Sequence, residues 1–322
     1  MKLPEINNLI LTPINEDIVK VHQIKTPFYF SCCDGLLILP KQGRNKRTII
    51  LDANIEPKYI KLLNSYYGPV SDYVCSHGHM DHIAHVHAWE DLDVNIHAPY
   101  PESQNLLDLE NFYECYRFDS VMDFSVIEKF GKKNRYQNFN NVNTFNPGDS
   151  LEFEEVTIET LPFPGHSNSH VGFLLPEERL MHLSCLGFDK PSPEKEGFGP
   201  WYGFEECSID QYLKDINYAE SMAKQWADVI TSSHSYIIKG QEENPFEYMR
   251  NKIRQNENKV IEAIKNLESK NKDINIKNLL NMDLFFPKKK MGGFIIKIYA
   301  FWEFWIIKNH LKRLHTSKPR VS

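Results

Sequence analysis

The feature that most constrains this chain is His77-Gly78-His79-Met80-Asp81-His82, four imidazole or carboxylate groups in six residues. It follows directly on Asp72–Cys75, a short run that reads as a β-strand. Imidazole nitrogen and carboxylate oxygen suit borderline cations such as zinc, and the absence of any CxxC pair argues against a sulfur-rich structural site. In an extended turn His77 and His79 can face one ion while Asp81 and His82 turn toward a second, with Gly78 supplying backbone freedom. A chance cluster on a solvated surface is the bland alternative; four ligands immediately after a strand argue against it.

Two ions need more ligands than this segment holds. His166 in PFPGHSNSHVGF, Asp189 in LSCLGFDKP and His234 in TSSHS each follow an apolar, strand-like run. All three can therefore stand at strand ends along one sheet edge, where loop residues converge on functional sites. Together with the first segment they form a candidate ligand set of His77, His79, Asp81, His82, His166, Asp189 and His234.

This set resembles that of the metallo-β-lactamase superfamily, with HxHxDH met by His77–His82 and the later histidine, aspartate and histidine met by His166, Asp189 and His234. The similarity covers roughly residues 25–238. It implies an α/β fold, a four-layer αββα sandwich, over residues 1–240, followed by a helical C-terminal extension over 241–322. It also implies that His77, His79 and His166 hold one metal, that Asp81, His82 and His234 hold the other, and that Asp189 bridges them. Asp52, closing the run TIILD, resembles the family's aspartate that orients the ligand loop without binding metal. GHSNSH resembles the GHTxGH-like segment of thioesterase and lactonase branches, with Asn168 and Ser169 in place of the usual Pro-Gly pair. His170 there is a support behind the ligands, a substrate contact or a buried strand-starting residue. His85 and His87 read as supporting or surface residues, and His22, His97, His182, His310 and His315 have no motif behind them.

The resemblance implies a binuclear hydrolase acting through a metal-bound hydroxide, with Asp81 holding that oxygen and returning a proton to the leaving group. The ions are divalent, zinc first, with iron or manganese as alternatives. A thioester or lactone is the favoured small-molecule substrate, and phosphodiester hydrolysis and iron-dependent sulfur dioxygenation are the alternatives. Flavodiiron relatives carry a glutamate where His79 stands, which disfavours oxygen reduction. In the loop 189–204, Phe198, Trp201, Tyr202 and Phe204 offer apolar walls, while Lys190 and Lys195 could meet an anion; a solvated loop with buried aromatics is the equal alternative.

Strands are expected at Phe28–Ser31, Gly35–Leu39, Thr48–Leu51, 94–98, Ser150–Leu161, Val171–Leu175, Leu180–Leu186 and 227–234. Asn54, three residues before Pro57, reads as a helix cap. The stretch from Glu102 to Tyr136 is irregular, partly helical and aromatic, suited to capping a cleft or to filling out the core. Beyond Gly240 three helices are expected, the last of them aromatic and basic: nine Lys or Arg and one Glu between Lys288 and Ser322, with Phe294, Tyr299, Phe301, Trp302, Phe304 and Trp305 among them. Such a helix could pack on the catalytic domain, form a homodimer contact, or meet a membrane or nucleic acid. The net charge of −6 gives no global attraction to nucleic acid. The first residues carry acids and prolines where a signal peptide needs a basic start and an apolar run, so a cytoplasmic chain is expected.

Overall fold

Residues 3–28, 30–41, 47–154, 156–240 and 243–316 are described by a computed structural model. Two β-sheets lie at its centre. The first runs in chain order: β1 (Leu9–Pro13), β2 (Ile18–Gln23), β3 (Gly35–Ile38), β4 (Thr48–Leu51), β5 (Val70–Val74), β6 (Asn95–Pro99) and β7 (Asn143–Phe145). The second contains β8 (Ser150–Glu152), β9 (Thr157–Pro162), β10 (Val171–Leu175), β11 (Leu180–His182), β12 (Val229–Thr231) and β13 (Ile238–Lys239), in the spatial order β13-β12-β11-β10-β9-β8.

The layering follows from the two-residue repeat of a strand. Leu36 and Ile38 of β3, Ile49 and Leu51 of β4 and Val74 of β5 meet Val171, Phe173 and Leu175 of β10 in a core between the sheets. Their neighbours Leu37, Ile50, Tyr73 and Leu174 point the other way, into a second and larger core under the helices. Strands apolar on both faces must be covered on both faces, which yields an αββα sandwich.

The helical layers comprise α1 (Pro57–Tyr67), the short α2 (Met80–Ile83), α3 (His87–Glu90) and α4 (Gln104–Leu107), then α5 (Leu109–Cys115), α6 (Phe124–Asn134) and α7 (Ile209–Trp226). They are followed by α8 (Pro245–Ser269), α9 (Ile276–Leu280) and α10 (Ile295–Thr316). The 102–136 stretch both fills and lines: Phe112, Phe118 and Phe130 are buried in the larger core.

In α10, Ile298, Phe301, Trp302, Trp305 and Ile306 recur at helical spacing on one buried face. They join the same core as the sandwich, alongside Phe246, Met249 and Ile253 of α8. Glu303, fully buried, pairs with Lys288, whose ammonium also lies 2.9 Å from Asp283, and accepts the Phe285 N–H at 2.9 Å. Half of the basic-aromatic signature is thus packed inward. Among the described residues no helix is long and apolar enough to cross a membrane.

Several local expectations change: the strand expected over Leu180–Leu186 ends at His182, the one over Ser150–Leu161 is split into β8 and β9, and the one over 227–234 shortens to Val229–Thr231. The strand expected over Phe28–Ser31 is a turn in which Phe30 adopts a left-handed φ of 61°; Tyr29 lies outside the described residues. Two strands, β1 and β2, occupy a beginning that carried no strand signal strong enough to be assigned. Asn54 does not cap α1, which starts behind Glu56 with Pro57 in its first turn. Its amide instead donates to the carbonyls of Ser31 and Asp81 and accepts the His85 N–H at 2.9 Å, fastening the first ligand segment to the sheet.

Candidate metal centre

Strand direction explains why distant residues meet. β4, β5 and β6 are parallel, and so are β11 and β12. β9 is antiparallel to β10, which is antiparallel to β11, so β9 also runs with β11. The chain leaves β4 into Asp52, β5 into His77, β9 into His166, β11 into Cys185 and β12 into His234, all at one edge of the sandwich.

Three imidazole nitrogens close into a triangle. His77 Nε2 lies 3.0 Å from His79 Nδ1 and 3.2 Å from His166 Nε2, and the third side measures 3.1 Å. The opposite ring nitrogens account for two of the orientations. His77 Nδ1 stands 2.8 Å from the Ser76 hydroxyl, and His166 Nδ1 stands 2.9 Å from the Trp201 carbonyl, an acceptor only. With their protons on those outer nitrogens, both rings turn bare lone pairs inward. His79 Nε2 is buried without a partner among the described residues. Burial and the neighbouring imidazoles push His77 and His79 well below the ordinary histidine range, and burial takes His166 down to about 4.

A second cluster adjoins the first. Asp81, His82, Cys185 and His234 offer ligand atoms within 4.8 Å of one another, and so do His77, His166 and Cys185. His82 Nε2 lies 3.1 Å from Cys185 Sγ, and His234 Nε2 lies 3.1 Å from Asp81 Oδ2. For His234 burial works against the charged form, but the Asp81 hydrogen bond and Asp189 outweigh it and push the imidazole up to about 9.

Behind both clusters sits Asp52. It accepts the Ser76 N–H at 3.0 Å and hydroxyls from Ser76, Ser184 and Ser233, and its Oδ1 lies 2.9 Å from His82 Nδ1. Burial alone would raise its carboxyl, yet the His82 and His182 rings hold it well below the usual carboxylate range. Although Asp52, His82 and Cys33 could geometrically hold an ion, these donors already occupy the carboxylate. It therefore orients, fixing the His82 tautomer so that Nε2 faces Cys185.

Glu102, also fully buried, joins the two ligand loops. Its Oε2 accepts the Gly78 N–H at 2.8 Å and the Tyr116 hydroxyl at 2.9 Å, and its Oε1 accepts the Ser169 N–H at 2.9 Å. Gly78 is required by this close approach: a Cβ there would come within 2.7 Å of the Glu102 carbonyl and of the Asn105 amide. His170 is buried and accepts the Cys185 N–H at 3.2 Å through Nε2, a support that sets the cysteine in place. His85 and His87 are buried behind α2 and take no part in either cluster.

Of the seven residues expected from sequence, six meet in these two clusters. Asp189 does not; Cys185 stands where the clusters join. The chain has by then turned away: Asp189 lies seven residues past the end of β11, beyond Gly187, which has a φ of 98°. Its Oδ1 is buried and unpartnered among the described residues, and burial pushes its carboxyl up.

The donor set suits a divalent ion. Nitrogens each about 2.0–2.1 Å from a tetrahedral zinc stand about 3.3 Å apart, close to the triangle observed. Converging unprotonated nitrogens repel without a cation among them, and the partnerless His79 Nε2 is the face that carries the proton when Nδ1 is a ligand. The second cluster adds carboxylate and sulfur, so the residues have the capacity for one or two ions.

A cavity of about 410 Å3 opens over His79, Asp81, His166, Cys185 and His234. Tyr202 pins its loop to the C-terminal helices: its hydroxyl accepts from Asn256 at 2.9 Å and lies 3.0 Å from His310 Nε2, while Asn309 donates to the Tyr202 and Phe204 carbonyls at 3.2 Å.

An αββα sandwich with clustered imidazoles, carboxylate and thiol at one sheet edge defines the class of metal-centred hydrolase folds. The chain belongs to the metallo-beta-lactamase superfamily, whose sequence model matches residues 44–222. Among solved structures it is similar to a beta-lactamase domain protein from Burkholderia ambifaria, at 13% identity and a TM-score of 0.64, covering 96% of this chain and 89% of that one. It is also similar to the metallo-beta-lactamase DIM-1 (17% identity, TM-score 0.52, 77% and 99% covered). A metallo beta lactamase from Hirschia baltica gives 14% identity and a TM-score of 0.50, with 76% and 96% covered. Comparison with curated proteins finds no match. Fold and ligand clusters together support a metal-dependent hydrolase.

Proposed function

We propose that this chain hydrolyses a thioester or lactone at a two-ion centre in which His77, His79 and His166 hold one ion and Asp81, His82 and His234 the other, with Cys185 between them. The observation that carries the reading is the meeting of both clusters at the floor of one cavity. Divalent ions bound there supply an activated water near neutral pH and polarise the attacked carbonyl. Asp52 holds the His82 ring, Ser76 and the Trp201 carbonyl hold His77 and His166, and Glu102 keeps their loops apart at fixed spacing. Asp81, 3.1 Å from His234, is placed to accept the proton of the attacking water and to return it to the leaving group. Asp189, with an oxygen to spare at the cavity, is placed to bind water or substrate.

The GHSNSH segment supports the thioester or lactone branch. The test is the metal content of purified protein followed by a panel of ester, thioester, lactone and phosphodiester substrates. Two zinc ions with carbonyl-substrate turnover are expected; oxygen-dependent turnover at one iron overturns the reading.

A further inference from the structure

The cavity above the centre is apolar far beyond what the chemistry of its floor requires. Phe30, Phe112, Phe130, Trp201, Phe204 and Trp302 line it, drawn from an N-terminal turn, two helices, the 189–204 loop and α10. Their rings interlock around Trp302, which is 4% exposed: Phe30 meets it edge-on at 4.9 Å and Trp201 at 5.0 Å, both between ring centroids. Phe30 makes its contact from a backbone at positive φ, a conformation costly for a bulky residue and held by its surroundings. Phe198, 49% exposed, stands at the mouth. The volume falls within the range of about 300–1,000 Å3 typical of small-molecule sites.

Charge sharpens the assignment. Among the described residues the cavity is lined by the carboxylates Asp81, Asp189 and Glu196 and by no Lys or Arg. The two lysines of the neighbouring loop do not serve it: the Lys190 ammonium sits 5.5 Å above the Tyr248 ring and Lys195 is exposed. An anionic substituent held among these upper walls, away from the floor, would lose its hydration with no Lys or Arg beside it, a cost apolar contact does not recover. An uncharged chain loses nothing and gains with every methylene buried.

We propose that the acyl substituent of the substrate is an uncharged aliphatic or aryl chain seated in this aromatic cavity, with the C-terminal helix supplying the wall that selects it. The inference rests on the hydrolase reading for the reacting group alone; the binding surface is independent of it. The test uses methyl alkyl ketones, which cannot be hydrolysed, titrated into the purified full-length protein and read by calorimetry and tryptophan fluorescence. Affinity should rise about fourfold per methylene from the methyl ethyl to the methyl octyl ketone, and octanoyl esters or thioesters should be turned over at least tenfold more efficiently than acetyl ones. Trp302→Ala should flatten both series; because Trp302 is packed in the core, Phe198→Ala at the mouth provides a second variant with a smaller loss in the same direction. Ketone affinity that rises with length in a protein that cleaves no carbonyl substrate sinks the hydrolase reading and leaves the apolar site standing. Hydrolysis that proceeds with ketone affinity and turnover indifferent to chain length overturns this inference and leaves the hydrolase.

Discussion

Imidazoles on the cavity floor hang from strand ends, and His77, His82 and His166 are each set by what the ring nitrogen turned away from the cavity touches. The aromatic rings of the wall come from segments far apart in the chain and are set by packing against one another. A hydrogen bond fixes a direction to within a few tens of degrees and does so locally. Packing fixes a position only when every neighbour is present. The floor is thereby a property of the sandwich, and the wall a property of the whole chain, α10 included.

The contrast is testable because the two regions should fail differently. The largest effect belongs to the floor: Asp81→Asn should lower kcat by about a hundred- to ten-thousand-fold while the unfolding midpoint stays within a few degrees. Unchanged turnover at full metal occupancy would remove Asp81 from the chemistry. The wall should fail in stability instead. Glu303→Ala leaves the buried Lys288 ammonium with Asp283 alone and should cost up to about 3 kcal/mol, the lower end for breaking a buried pair, in denaturant unfolding. A stability equal to that of the parent would mean that α10 is not held by this pair.

Cys185→Ser probes a division within the floor itself. Removing the sulfur should weaken one ion at least about tenfold while the three-imidazole group keeps the other. In cobalt-loaded protein the sulfur-to-cobalt charge-transfer band should vanish. A band that survives the substitution would place Cys185 outside the coordination sphere.

What the sequence made legible tracks the same division. HGHMDH is local, so its ligands could be read directly, and the layers were implied by the resemblance those ligands carry. Cys185 was missed because a lone cysteine carries no spacing signal. The structure shows a positional rule, with His77, Cys185 and His234 each three residues past the end of their strand, at Val74, His182 and Thr231, and Asp189 seven past; the rule stayed hidden because the strand expected over Leu180–Leu186 swallowed Cys185. Asn54 and Glu102 were illegible for another reason. Their partners lie 14 to 67 residues away in the chain, so neither a cap motif nor local composition could announce them. The wall was visible only as aromatic content, with nothing to say which rings would meet.

Glu102 has a consequence for how the protein acquires its ions. Because one carboxylate grips the amides of Gly78 and Ser169 from outside the triangle, the gap between the imidazoles is set during folding and does not wait for a guest. Filling it requires little rearrangement, so the empty site should load quickly with whichever divalent transition element arrives first. The element recovered on isolation would then reflect the supply in the growth medium as much as any preference of the protein.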